Sequence, residues 1–132
     1  MPRYATVFSG DPAATYRSVD LASRTGGANP QQLVGLLYEE AVAALRSVAW
    51  AVENRDYKLK GERVTRATAI LFALESGLDF DRGGDVSHTL ARFYRGIREA
   101  VVEASIGSDP APFLAAADSL TEIAEAWSSV AK

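Results

Sequence analysis

From Asn29 onward the apolar residues return every three or four positions, the repeat of a helix that buries one face. Leu33, Leu36, Leu37, Ala41, Ala44, Leu45, Val48 and Val52 define a first helix. Asn29 is its cap, Pro30 lies in its first turn, and Gln32 completes a start that resembles a capping box. Asp56 opens a second helix, whose stripe is Val64, Ala67, Leu71, Leu74 and Leu78. Val86, Leu90, Phe93, Ile97, Val101 and Ala104 mark a third, closed by Gly107. Asp109 and Pro110 start a fourth, which carries Phe113, Ala117, Leu120, Ala124, Trp127 and Ala131. The expected spans are about 30–54, 56–76, 85–106 and 110–131. Short connections make neighbouring helices antiparallel, and no segment alternates with the two-residue period of a strand. The fold class is therefore all-α, an antiparallel up-down four-helix bundle over about residues 30–132. A flexible N-terminal arm and loop of about 29 residues precedes it, rich in Thr, Ser, Gly and Pro, with Tyr16 and Val19 as its anchors.

The sharpest local signal is the stretch Leu78-Asp79-Phe80-Asp81-Arg82-Gly83-Gly84-Asp85. Two glycines permit positive φ in a tight reversal, and Asp85 suits the exposed N–H groups at the start of the next helix. Asp79, Asp81 and Gly84 also fit the first, third and sixth positions of a calcium loop. That match fails at the fifth position, Gly83, and at the twelfth, where Leu90 replaces a bidentate Glu. The stretch reads as a corner, and function has to be sought on helix surfaces.

Composition narrows the class. With 132 residues, 48% of them hydrophobic, the chain suits one domain with a sizeable core. No apolar run approaches the roughly 18–20 residues needed to cross a bilayer, so membrane insertion is not expected. Met1-Pro2-Arg3-Tyr4 lacks the apolar region of a signal peptide, which points to the cytoplasm. The absence of cysteine removes disulfides, thiolate metal sites and thiol nucleophiles. A formal net charge of −3 argues against nucleic acid as a partner.

Candidate catalytic chemistry is thin. His88 is the one histidine and lies beside the third helix's apolar stripe, as a partly exposed helix residue would. Paired with Arg82 it resembles the dyad of the HEPN ribonucleases, which are also helical bundles. The glycine after Arg82 and the acidic balance of the chain weigh against that reading. The Glu-x-x-His pairs of di-metal bundles, the phosphate-binding glycine loops and the nucleophile elbow are all missing. Glu39 and Glu40 are adjacent and diverge around their helix. No catalytic residue, metal or cofactor is expected.

More informative are large apolar residues on faces that should be wet. A helix advances about 100° per residue. Trp50 shares the polar stripe of Glu39, Arg46 and Glu53, Phe72 points about 140° from Ala67, and Val102 and Ile106 lie far from the Ile97 stripe. Such residues either cover one another, lie under the arm, or form grooves for another chain. An arm that covers a groove can also be displaced by a ligand that needs it.

Taken together, the chain resembles the flagellar export chaperone family FliS. Asn29-Pro30-Gln31-Gln32-Leu33 through Leu37-Tyr38-Glu39 resembles that family's Ser-Pro-x-x-Leu to Leu-Tyr-Asp segment. Asp56-Tyr57 resembles its second-helix start. Leu78-Asp79 and Gly83-Gly84-Asp85-Val86, then Leu90 and Phe93-Tyr94, resemble its Leu-Asp-x-x-x-Gly-Gly-Glu-Ile signature and the Leu-x-x-Leu-Tyr segment after it. Trp127 matches a tryptophan near the C-terminus. Departures are Asn29 for serine, Glu40 for a common glycine, and a longer loop over Ser23–Ala28. The resemblance implies a cytosolic, cofactor-free, non-enzymatic bundle. It would bind the disordered C-terminal region of flagellin, block premature polymerisation and deliver the client to the flagellar type III secretion apparatus, with other flagellar export components as further partners. It also implies an arm that can occupy part of the client site. Angular position adds Trp50, Phe72, Val102 and Ile106 as partner-binding residues, Tyr94 joins them through its ring and hydroxyl, and Tyr16 and Val19 are the candidates in the arm. Tyr38 is read as core, whereas Tyr94 fits both core packing and contact with a client. The alternative is a structural or regulatory bundle that binds another helix. Either is expected as a monomer or weak homodimer.

Overall fold

Asn29 begins the first helix by accepting, at Oδ1, the N–H of Gln31 at 2.8 Å and that of Gln32 at 3.5 Å. The computed structural model describes residues 14–17 and 29–130; Val19 and Ala131 lie outside the described residues. Helix α1 is Pro30–Glu53 and α2 is Tyr57–Ser76. Between them the chain closes a Schellman turn: the Asp56 N–H donates to the Ala51 carbonyl at 2.9 Å and that of Arg55 to Val52 at 3.3 Å. This puts Arg55 at φ 55°, where glycine is the usual occupant. Asp56 then caps α2 by accepting the Leu59 N–H at 3.1 Å.

The corner contains a helix the sequence pattern does not separate from a turn. Helix α3, Phe80–Gly83, is a single turn capped by Asp79, whose Oδ1 accepts the Arg82 N–H at 2.9 Å. Gly84 supplies the positive φ of 53°. Gly83 has a different reason to be glycine, because a Cβ there would collide with Ser87 Oγ. Helix α4, Asp85–Ala104, ends two residues earlier than its pattern suggests, where Ser105 Oγ donates to the Val102 carbonyl at 2.6 Å. Helix α5, Ala111–Val130, starts where Asp109 Oδ1 accepts the Ala111 N–H at 3.0 Å.

The four long helices form a ring in which α1 packs on α2 and α5, and α4 packs on α2 and α5. Helices α1 and α4 are thus diagonal. Leu45, Leu71, Leu74, Leu90, Phe113, Leu120 and Trp127 fill the centre. Leu36, placed in the core by periodicity, is 55% exposed, while Val34 and Tyr38 are fully buried. Helix α1 is covered from two sides, so its buried sector is centred away from the Leu33-Leu36-Leu37 cluster.

Residues 14–17 of the arm are held more firmly than its composition suggests. Residues 14–17 run antiparallel to the corner, with a bridge between Tyr16 and Leu78. The Arg17 N–H donates to Gly77 O and the Asp79 N–H to Thr15 O, both at 2.8 Å. Ser87 Oγ lies within reach of both the Thr15 and Asp79 carbonyls, at 3.2 and 2.8 Å. The corner that reads as punctuation is therefore the dock for a strap.

Candidate partner-binding site

The strap carries Tyr16 into the bundle, where it is 3% exposed. Its hydroxyl lies 2.5 Å from that of Tyr94 on α4, and the Tyr94 hydroxyl is also hydrogen-bonded to that of Tyr38 on α1. The three rings tie strap, α1 and α4 together across the diagonal. Trp127 of α5 closes the cluster, edge-on to Tyr16 at 5.8 Å and to Tyr38 at 6.5 Å, while its Nε1 donates to Gln31 O at 2.8 Å. Burial drives the pKa of all three phenols upward, that of Tyr38 to about 12. They are neutral hydrogen-bonding groups, with no role as bases near neutral pH.

Tyr94 lies in the interior, where its ring packs in the core. It is fully buried, packed on Phe93 at 5.7 Å and Tyr38 at 6.3 Å, because Tyr16 lies on it. It belongs to the wall of a slot the strap fills.

The other residues singled out by their angular position are exposed, on different helices of the ring. Phe72 is 60% exposed on α2, Val102 51% and Ile106 88% at the end of α4. The Arg98 guanidinium sits over the Phe72 ring, 5.4 Å from its centroid. Arg95 and Arg98 both reach across to Glu75 of α2, at 2.9 and 2.8 Å. Val102 comes seven residues after Arg95, so it prolongs that α2-facing stripe, and Ile106 follows in the turn after α4. Lys60 Nζ binds Gly107 O at 2.8 Å and fixes the far end of the seam. Phe72, Val102 and Ile106 thus share one face, the outside of the α2–α4 pair.

Trp50 is elsewhere. It stands two turns beyond Ala43 on the outward side of α1, diagonal to α4. Shallow grooves flank that side. One, of about 410 Å³, runs between α1 and α5 past Val42, Ala43, Arg46 and Ala124. The other, of about 490 Å³, runs between α1 and α2 past Ser47, Arg63 and the Arg66–Glu40 ion pair.

His88 is exposed and packs against Phe80, ring centroids 4.8 Å apart. Its nearest aromatic neighbour is thus on α3, and the Arg82 backbone is taken up in the α3 cap. No helix among the described residues is long and apolar enough to cross a membrane. Sequence reasoning missed Thr15, Ser87 and Gly83, which seat the strap. Gly84 interrupts the helix between Gly83 and Ser87, so their spacing gave no signal of the contact.

A family model described as flagellar protein FliS matches residues 12–132, strap included. Among curated proteins, the chain is 29% identical over 116 residues to the flagellar secretion chaperone FliS of Salmonella typhimurium, covering 87% of this chain and 86% of that one. It is 27% identical over 115 residues to the flagellar secretion chaperone FliSB of Pseudomonas aeruginosa, covering 87% and 91%. The flagellar secretion chaperone FliS of Vibrio cholerae is also 27% identical over 115 residues, covering 87% and 85%.

Proposed function

Since the chain belongs to the FliS family of flagellar secretion chaperones, we propose that it binds the disordered C-terminal region of flagellin in the cytosol, prevents its premature polymerisation and supports its delivery to the flagellar type III secretion apparatus. It acts by binding alone, without catalysis or cofactor.

The observation that supports this most is the open apolar face of Phe72, Val102 and Ile106. A disordered client gives up conformational entropy when it is held, so it needs broad apolar contact to offset that loss. An amphipathic client helix laid along the α2–α4 seam would cover these side chains, with the two arginines above Glu75 meeting its polar flank. The Tyr38–Tyr94–Trp127 slot is a second contact region, open to the client once Tyr16 leaves, and Val19 is a further candidate contact of the arm. In this reading the strap guards an apolar, hydroxyl-lined slot until a client segment replaces it. Trp50, exposed on the outward side of α1, is a separate candidate contact for the client.

Calorimetric titration with the C-terminal segment of flagellin tests the proposal. Saturable one-to-one binding with a negative heat-capacity change is expected. Phe72→Asp and Ile106→Asp weaken it by about tenfold or more, while the thermal midpoint stays near that of the unsubstituted protein. A folded protein that ignores the segment would rule out flagellin as the client.

A further inference from the structure

The groove between α1 and α5 has an apolar floor and a carboxylate on each wall. Val42, Ala43 and Ala124 supply the floor. Thr121 adds little polarity, because its hydroxyl donates to the Ala117 carbonyl of its own helix at 2.8 Å. Glu39 on α1 and Glu125 on α5 are exposed and line the same space. Trp127, late in α5, reaches Gln31, early in α1, so the two helices run antiparallel. One turn back from Ala43 is therefore level with one turn on from Thr121, and Glu39 faces Glu125 across the groove. Among the described residues neither makes an ion pair. Helix α5 also carries Asp118 and Glu122, and it contains no Lys or Arg.

We propose that this groove docks a basic amphipathic helix of a second protein, held at the same time as the client. Two unpartnered carboxylates at one level repel each other, and a lysine or arginine placed between them relieves both. The occupant is helical because the backbone groups of both walls are already bonded within α1 and α5. An extended chain would find no partners there for its own N–H and C=O groups, whereas a helix satisfies them internally. The alanines of the floor let a third helix approach closely, with its larger apolar side chains in the groove. Arg46 lines the same groove seven residues beyond Glu39, so the docked face is basic with one acidic residue about two turns away. The site shares no helix with the α2–α4 pair that carries Phe72, Val102 and Ile106. It stays open while a client lies on that pair, and it does not depend on the identity of the client.

Titration of the isotopically labelled full chain with two synthetic helical peptides of about 18 residues, or five turns, tests this. One peptide has a leucine face and a lysine face; the other has glutamate in place of lysine. The lysine peptide binds saturably and shifts the amide resonances of Val42, Ala43 and Ala124. The glutamate peptide binds at least about tenfold more weakly. Glu39→Lys and Glu125→Lys each weaken the lysine peptide by about tenfold or more, whereas Glu103→Lys, the same change of charge on α4, leaves its affinity within about twofold. All three glutamates are exposed, so circular dichroism and the thermal midpoint should match those of the parent. An excess of the flagellin C-terminal segment leaves the peptide in place. No binding of the lysine peptide at millimolar concentration overturns the proposal. So do shifts centred on the α2–α4 face, equal affinity for the two peptides, or indifference to the Glu39 and Glu125 substitutions. Displacement by the flagellin segment overturns it as well, because the groove would then belong to the client.

Discussion

The Tyr16 hydroxyl lies 2.5 Å from the Tyr94 hydroxyl, joining the strap to the middle of α4 across 78 residues of sequence. Tyr94 also contacts Tyr38, so the strap ends a buried chain of three hydroxyls. Tyr16→Phe removes one link and keeps the ring, and should cost about 1 kcal/mol in urea unfolding. Tyr16→Ala also removes the ring from Trp127 and should cost about 3–5 kcal/mol or detach the strap. Hydrogen exchange separates the two results, because the Asp79 amide is bonded to Thr15 O and is exposed to solvent when the strap leaves.

Alkaline pH should loosen the same cluster. Burial raises the pKa of Tyr16, Tyr38 and Tyr94, that of Tyr38 to about 12. Above about pH 10 the unfolded chain releases phenolic protons that the folded chain keeps. The stabilisation is thus complete below pH ~10 and declines as pH rises through the folded values. Urea midpoints across this range should fall less steeply in Tyr94→Phe than in the parent.

At the acid end the sign reverses. Burial works to raise the Glu75 pKa, and the hydrogen bonds from Arg95 and Arg98 overcome it, leaving the carboxyl below its usual value. The unfolded chain therefore takes up this proton first, and the contribution of Glu75 is present above about pH 4.3 and lost as pH falls through its folded pKa. Glu75→Gln should lower stability at neutral pH and flatten its decline on acidification, as followed by thermal midpoints.

Arg55 sits at φ 55° after α1. Replacing it with glycine removes the left-handed strain but adds freedom to the unfolded chain. Arg55→Gly should gain about 0.5–1 kcal/mol net, read as a higher urea midpoint with unchanged slope.

Much of the frame was legible because its signals are local. Asn29, Asp56 and Asp109 mark helix starts through side chains that bond their own neighbours. The exposure of Trp50, Phe72, Val102 and Ile106 followed from angular position alone. The separation of Trp50 from the other three did not, since it depends on which helices become neighbours. Leu36 and Val34 could not be ranked by periodicity on a helix covered from two sides. The strap was illegible for a different reason. Thr15, Arg17, Gly77 and Asp79 pair through backbone groups, which every residue except proline carries in full. What remained in the sequence was Tyr16, whose burial depends on a partner far along the chain.

That separation also sets an order of events. Residues 14–17 are made early, yet their backbone partners near Asp79 and the Tyr94 hydroxyl come much later. Closing so long a loop has a large entropic cost before any contact compensates for it, whereas α1 and α2 meet across a three-residue turn. The bundle is therefore expected to form first, leaving the slot between Tyr38, Tyr94 and Trp127 to be filled afterwards. A segment synthesised before any of the long helices is the last to be seated.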